Sequence, residues 1–298
     1  MSMKLVRYFN DDRSMEKLGV QSEKGIIAIS KLANHLNCNV PQTMDKLLEN
    51  PTESLEHIES VFDRAKELHF TMEPYTLSVN SVTILPIVKQ PEKILCVGLN
   101  YVDHVKATGG DVPTSPVFFS KFANTLAAHG QTVPIPPTSQ KVDYEGELVI
   151  VIGKEMNGVS EKEARAGILG YSVGNDVSER QLQFQSSQWL IGKSFDFFAP
   201  TGPAIVTKDE IEDISQLKIR TRLNDNLVQD SSTSELIFSV EKIVSEASQY
   251  MTLKPGDLIF TGTPSGVILE QTEPVWLKPG DQVSITIDQI GTLTNTFL

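Results

Sequence analysis

Three carboxylates alternate along one short stretch of the sequence, at Asp143, Glu145 and Glu147. The stretch runs into the apolar residues 149–152, whose β-branched side chains predict a strand. Alternate side chains of a strand point to one face, so we expect the three carboxylates on the same face. A bound divalent cation would turn their mutual repulsion into binding energy, and oxygen ligands favour magnesium, manganese or calcium over zinc. The alternative interpretation is an edge strand with a solvated acidic face.

Two further residues that can do chemistry follow predicted strands. His104 comes after the strand predicted at residues 94–97, in the loop or short helix at its end, which is a common place for function. It is a candidate general base, although a lone histidine is often a hydrogen-bonded structural residue. Asp176 follows the β-prone residues 171–173 and could complete the cation site, but an Asn-Asp pair is also ordinary turn chemistry.

Two features near the C-terminal half could bind an anion. Lys193 follows apolar residues, where it could pair with a substrate carboxylate or extend its ammonium group to solvent. Residues 261–266 read Thr-Gly-Thr-Pro-Ser-Gly after a predicted strand and offer backbone amides and hydroxyls to an anion. The same residues are also typical of a plain tight turn.

The composition limits the class of protein. The 298 residues carry a formal net charge of −12, which argues against nucleic acid and anionic membranes as partners because both bind clustered Lys and Arg. Cys38 and Cys96 form no C-x-x-C pair, so they predict neither a disulfide framework nor a zinc site. The sequence has no dinucleotide-binding or P-loop glycine motif. It has no apolar leader and no run of membrane-spanning length, so we expect a cytoplasmic protein.

The elements that must position these residues are mostly short strands. Residues 4–9 and 18–29 predict a strand and a hairpin, and residues 43–68 contain two helical stretches. We therefore expect a small N-terminal α/β domain at residues 1–85. Residues 86–298 read as short strands punctuated by Gly and Pro with few helices, which predicts an α+β fold that is mainly β.

Five motifs occur in a fixed order: G-L-N-Y-x-D-H, D-Y-E-x-E-L, G-N-D-x-S-x-R, Q-W-x-x-x-K and T-G-T-P-x-G. Each is weak alone, but together they resemble the fumarylacetoacetate hydrolase family from about residue 91 to the C-terminus. The resemblance implies a mixed β-roll catalytic domain, usually dimeric, so a homodimer is expected. The N-terminal region is similar to the smaller accessory domain of many members.

The resemblance also implies roles for individual residues. It implies Mg²⁺ or Mn²⁺ held by Glu145, Glu147 and Asp176, with His104 as the general base. The positions that match the family's 2-oxo acid site are Arg180, Gln183, Lys193 and Thr263. Asp143 matches no ligand and is expected to support the others.

The chemistry implied is a reaction through an enolate. The cation would hold the carboxylate and keto oxygens of a 2-oxo acid, and Lys193 would add positive charge near the enolate. For an acylpyruvate, water activated by His104 attacks the distal carbonyl and releases pyruvate and a carboxylic acid. We expect this C–C bond hydrolysis, with decarboxylation or tautomerisation of oxaloacetate as the alternative. A metal- and carboxylate-binding protein without activity is a third interpretation.

One position departs from the family pattern. Many members carry a glutamate three residues after the histidine, whereas this chain has Ala107 there. If no other acid replaces it, hydrolysis should weaken more than decarboxylation or tautomerisation, which need no activated water. Asp103 and Asp111 are the candidate replacements.

Overall fold

Strands form most of the regular structure in residues 3–10, 15–107 and 109–298, which are the residues that the computed structural model describes. The strands are β1 (Lys4–Phe9), β2 (Glu16–Ser22), β3 (Gly25–Ile27), β4 (Thr76–Leu77), β5 (Thr83–Ile84), β6 (Ile94–Gly98), β7 (Val117–Lys121), β8 (Leu126–Ala128), β9 (Val142–Asp143), β10 (Gly146–Ile152), β11 (Ile168–Asn175), β12 (Ser178–Glu179), β13 (Ala199–Thr207), β14 (Lys218–Leu223), β15 (Asn226–Ser232), β16 (Leu258–Phe260), β17 (Gln282–Ile287) and β18 (Gly291–Thr296). The α-helices are α1 (Ile29–His35), α2 (Met44–Glu49), α3 (Pro51–Glu67), α4 (Val102–Ala107), α5 (Glu161–Gly167), α6 (Arg180–Gln183), α7 (Leu190–Lys193) and α8 (Val240–Tyr250).

The predicted N-terminal elements are present. The hairpin is β2–β3, and the two helical stretches are α2 and α3. Pro51 stands in the first turn of α3, where its fixed φ suits a helix and its missing N–H is not needed. Residues 1, 2 and 11–14 of this predicted domain lie outside the described residues. No helix in the described part of the chain is both long enough and apolar enough to cross a bilayer.

One sheet connects the N-terminal region to the rest of the molecule. It has twelve strands among the described residues, and its main path is β4-β3-β2-β1-β13-β11-β10-β16-β6-β7. The connection is the antiparallel pairing of β1 with β13, in which Lys4 lies opposite Val206 and Leu5 opposite Ile205. The two predicted domains therefore share a sheet, and the boundary near residue 85 stays a prediction.

Strand β10 lies between two hydrophobic cores. Leu148, Ile150 and Ile152 share one core with α8 and with the second sheet, which has the order β15-β14-β17-β18. Val149 and Val151 point the other way and share a second core with helices α1 to α3. Burying each such side chain stabilises the fold by about 1.5–3 kcal/mol. Because both faces are covered, β10 is apolar from Leu148 to Ile152 instead of alternating, and Glu147 near its start is held in a rigid frame.

The single strand predicted across residues 142–152 is in fact two strands. β9 ends at Asp143 and pairs with β12, whereas β10 begins at Gly146 and pairs with β11 and β16. Between them, the Glu145 N–H donates to Asn175 Oδ1 at 2.9 Å. The period of two does not run across this break. The premise of a shared face, one continuous alternation from Asp143 through Glu145 to Glu147, is therefore wrong.

Candidate functional site

One cavity of about 540 Å³ brings together side chains from distant parts of the sequence. Among its lining residues are seven of the predicted site residues: His104, Glu145, Glu147, Arg180, Gln183, Lys193 and Thr263. The eighth, Asp176, lies with Glu145 and Glu147. Apolar walls are formed by Phe119, Phe184 and Trp189. The structure thus assembles the whole predicted set, while the role of each residue stays a prediction.

Three buried carboxylates form a compact group. One carboxylate oxygen from each of Glu145, Glu147 and Asp176 lies within 4.8 Å of the other two, and the residues are 6%, 1% and 0% exposed. The solvated acidic face considered from the sequence is therefore excluded. Burial, together with the charges of Asp176 and Glu145, raises the pKa of Glu147 well above its usual range. A donor set of carboxylate oxygens alone, crowded and buried, fits a hard divalent cation.

Backbone hydrogen bonds position these carboxylates. The Asp176 N–H donates to the Glu145 carbonyl at 2.9 Å, just beyond the end of β11. The Gly262 N–H donates to Glu147 Oε2 at 2.7 Å. Gly262 has φ of +101°, and a Cβ there would lie 2.9 Å from the Asn100 Cβ, so the turn requires glycine. Main-chain hydrogen bonds thus help to fix the positions of these three residues.

Two buried lysines neutralise part of this negative charge. Lys193 Nζ donates to Glu145 Oε2 at 2.9 Å and to Asp176 Oδ2 at 2.8 Å, and Lys193 is only 1% exposed. The alternative in which its ammonium extends to solvent is wrong. Although burial opposes it, the charges of Asp176 and Glu145 raise the pKa of Lys193. Lys121, at the end of β7, pairs with Asp176 Oδ1 at 2.5 Å, and sequence reasoning missed it.

Asp143 acts on the group through an arginine. Arg180 Nε donates to Asp143 Oδ2 at 2.8 Å, and Arg180 also pairs with Glu145 Oε1 at 2.5 Å. Arg180 NH1 donates to Gln183 Oε1 at 2.9 Å, one turn along α6. Helix α6 begins after Glu179, whose carboxylate accepts the N–H of residue 182. Asp143 therefore holds Arg180 in place beside Glu145, in line with its expected supporting position.

Gly192 allows α7 to lie against α6. A Cβ at Gly192 would be 2.4 Å from the Gln183 nitrogen and 2.5 Å from the Glu179 carbonyl oxygen, both of which are backbone atoms. Such a contact cannot be relieved by a side-chain movement. The absence of a side chain at Gly192 thus sets how close Lys193 comes to Arg180.

The predicted anion-binding turn at residues 261–266 binds carboxylates of the protein itself. The Gly262 amide holds Glu147, as described above, and the Gly266 N–H donates to Glu270 Oε2 at 2.6 Å. Thr263 lines the cavity between these two glycines. The turn therefore connects the acidic group to a further carboxylate, Glu270, which the sequence did not identify as part of the site.

Glu270 is the partner of His104. His104 Nδ1 lies 2.5 Å from Glu270 Oε1, and both side chains are 10% exposed. Ala107 lines the same cavity but offers no acid. Asp103 and Asp111, the replacements proposed from the sequence, are both exposed. The acid expected on α4 thus comes from a segment 166 residues away, and the only local signal was its position four residues after Gly266.

The fold and this site define the family. The family model described as fumarylacetoacetate (FAA) hydrolase C-terminal matches residues 93–298, so the chain belongs to the fumarylacetoacetate hydrolase family, as predicted. The mitochondrial oxaloacetate tautomerase fahd2 of Xenopus laevis is 38% identical over 297 residues, covering 99% of this chain and 90% of the relative.

Two solved structures extend the comparison to the fold. The fumarylacetoacetate hydrolase of Exiguobacterium antarcticum matches with a TM-score of 0.80 and 30% identity over 99% of both chains. A maleylpyruvate hydrolase of Sphingobium, in complex with manganese(II) and pyruvate, matches with a TM-score of 0.75 and 28% identity over 99% of both chains. The predicted mainly β, α+β fold class is confirmed.

The predicted cytoplasmic location is wrong. The Xenopus relative and its cattle and human counterparts are all named as mitochondrial proteins. The prediction relied on the lack of an apolar leader. Such a leader is the mark of a secreted protein. Mitochondrial targeting segments are instead amphipathic and rich in arginine, so that criterion did not bear on this compartment.

Proposed function

We propose that this chain is a divalent-metal-dependent oxaloacetate tautomerase, which interconverts the keto and enol forms of its substrate. The observation that carries the proposal is a single cavity in which the His104–Glu270 pair lies with the carboxylate group and Lys193. A proton-transfer pair and a cationic site for the substrate oxygens are all that this reaction requires. The name of the Xenopus relative supports this reaction over the C–C hydrolysis expected from the sequence.

Glu145, Glu147 and Asp176 are the residues that would hold the cation, which we propose to be Mg²⁺ or Mn²⁺. When bound, the cation supplies positive charge to the carboxylate and keto oxygens of a 2-oxo acid. The manganese and pyruvate in the Sphingobium hydrolase support both the ion and the substrate class.

His104 is the proposed proton carrier. When the keto form becomes the enol, C3 loses a proton and the keto oxygen gains one from solvent. Glu270 contacts Nδ1, so we assign the C3 proton to Nε2, and the Glu270 carboxylate would stabilise the resulting imidazolium. In the reverse direction His104 returns the proton to C3. After the forward step His104 gives this proton to solvent, which balances the proton that the keto oxygen took up and restores the enzyme. In the reverse direction the enol oxygen gives its proton to solvent and His104 takes one up from solvent.

Lys193 and three other residues would act on the substrate. The Lys193 ammonium lies beside Glu145 and Asp176, two of the proposed cation ligands, and it would stabilise the negative charge that develops on the keto oxygen. Arg180, Gln183 and Thr263 line the same cavity and are proposed to contact the substrate carboxylates. A homodimer, as the family resemblance implies, stays a prediction.

Hydrolysis of acylpyruvates is the second candidate. Glu270 supplies the acid that Ala107 lacks, so His104 could activate water as well as carry a proton. The cavity of about 540 Å³ also has apolar walls at Phe119, Phe184 and Trp189, which would accommodate a tail larger than that of oxaloacetate.

The test compares three reactions in the same protein. Loss of the oxaloacetate enol is followed by ultraviolet absorbance, alongside oxaloacetate decarboxylation and acylpyruvate cleavage, with metal-stripped and Mn²⁺-reloaded enzyme. We expect tautomerisation to be the fastest reaction, to disappear on stripping and to return with Mn²⁺ or Mg²⁺. Acylpyruvate cleavage that outpaces tautomerisation would favour the second candidate. Turnover that survives chelation would remove the metal from the mechanism.

A further inference from the structure

The Lys193 ammonium lies between two of the proposed metal ligands. Its Nζ is 2.9 Å from Glu145 Oε2 and 2.8 Å from Asp176 Oδ2, and both residues belong to the group of three buried carboxylates. A divalent ion held by the same residues would lie close to this ammonium, and the two positive charges would repel each other. The lysine and the ion therefore compete for the negative charge of the same carboxylates.

The other two basic groups beside the carboxylates have different surroundings. Lys121 contacts the opposite oxygen of Asp176, Oδ1, and also donates to the Val177 carbonyl at 3.1 Å. Arg180 is fixed by Asp143 through Nε at 2.8 Å and NH2 at 2.8 Å. Both have an anchor outside the ligand oxygens that Lys193 contacts, so they can stay in place when those oxygens are taken.

The Lys193 ammonium already makes a further favourable contact, with an aromatic ring of the cavity. It lines the cavity, and its Nζ lies 5.0 Å from the centre of the Phe119 ring, which is within the range of a cation–π contact. An ammonium group that leaves the carboxylates remains in reach of this ring and of an anion bound in the cavity.

We propose that Lys193 is a resident counter-cation that yields its place to the divalent ion. Before the ion binds, Lys193 neutralises Glu145 and Asp176; when the ion binds, the ammonium moves toward the Phe119 side of the cavity and lies beside the keto oxygen of the 2-oxo acid. This inference rests on the proposed metal site. It implies that Lys193 weakens metal binding by the enzyme alone and makes metal and 2-oxo acid each tighten the binding of the other.

The test measures Mn²⁺ binding from the electron paramagnetic resonance signal of the free ion, with and without oxalate as the substrate analogue. Lys193→Met is compared with wild type and with Lys93→Met, which makes the same charge change beside Asp257 at the start of β6, away from the cavity. We expect Lys193→Met to bind Mn²⁺ alone about tenfold more tightly than wild type, since a nearby positive charge is gone. The gain in affinity given by oxalate should shrink by about threefold or more, and Lys93→Met should behave as wild type.

Thermal unfolding provides a second readout. Metal-free Lys193→Met should melt below wild type, because buried carboxylates lose their partner, and Mn²⁺ should raise its melting temperature by more than it raises that of wild type. Lys193→Gln serves the same comparison if the Met variant does not fold. Mn²⁺ affinity equal to or weaker than wild type in a folded variant would overturn the inference and leave the metal site standing. Wild type that binds no Mn²⁺ would overturn the proposed function as well.

Discussion

Glu270→Gln removes a charge from the proton-transfer pair while keeping the shape of the side chain. Glu270 Oε1 lies 2.5 Å from His104 Nδ1, and its other oxygen accepts the Gly266 N–H at 2.6 Å. A pair of unit charges about 4 Å apart near a protein surface interacts by about 4 kcal/mol. Both side chains are 10% exposed, so solvent screening weakens this interaction. We expect the Glu270→Gln substitution to remove about 3 kcal/mol of stabilisation from the imidazolium. At about 1.4 kcal/mol for each tenfold, kcat should fall by about 100-fold.

The assay is the initial rate of enol loss at saturating Mn²⁺, with kcat and KM measured separately. KM should change little, because Glu270 is proposed to act through His104. Asp103→Asn and Asp111→Asn are the matched controls, since these exposed carboxylates are near in sequence, and both should retain the wild-type rate. Adding Ala107→Glu to Glu270→Gln restores an acid one turn after His104 and should recover part of the rate. Wild-type kcat in a folded, Mn²⁺-bound Glu270→Gln enzyme would refute the reasoning.

Two further predictions concern stability. Lys121→Met leaves the buried Asp176 without the partner of its Oδ1 atom, so urea unfolding of the metal-free protein should show a loss of about 3–5 kcal/mol; a loss typical of an exposed ion pair, under about 1 kcal/mol, would contradict this. Burial lowers the pKa of His129 below its ordinary value of 6.5, and its Nδ1 accepts the Thr294 N–H at 3.1 Å. The stability that comes from neutral His129 is complete above pH 6.5 and is lost as the pH falls through the lowered pKa, because the unfolded chain takes up the proton first. The free energy of unfolding in urea should therefore fall more for wild type than for His129→Gln when the pH is lowered from about 7.5 to about 5.5. Equal losses in the two proteins would contradict this prediction.

The family and the carboxylate group could be predicted because their signals are local. Glu145 and Glu147 are two residues apart, and Asp176 lies in a motif that directly follows a strand. Such spacings can be recognised without knowing which distant parts of the chain come into contact. The mainly β fold class was also readable, because short apolar runs between Gly and Pro reflect strands and turns one at a time.

The break between β9 and β10 could not be predicted from local sequence patterns. In the sequence, Asp143 and Glu145 follow one alternating pattern. In the structure, the Glu145 N–H donates to the Asn175 side chain, and the Asp143 carboxylate accepts a hydrogen bond from Arg180. Periodicity reports how a strand presents its side chains, and it carries no information about where a distant polar group interrupts the ladder.

The proton-transfer pair and the counter-charges depended on the tertiary structure alone. Glu270 lies 166 residues from His104, and Lys121 lies 55 residues from Asp176. Which distant segments meet is decided by the order and register of the strands and by the packing of their two cores. The sequence by itself therefore determined the family, the fold class and the three carboxylates. Only the folded chain decided that Glu270 lies beside His104, because side chains so far apart become neighbours through the tertiary structure and not through any local pattern.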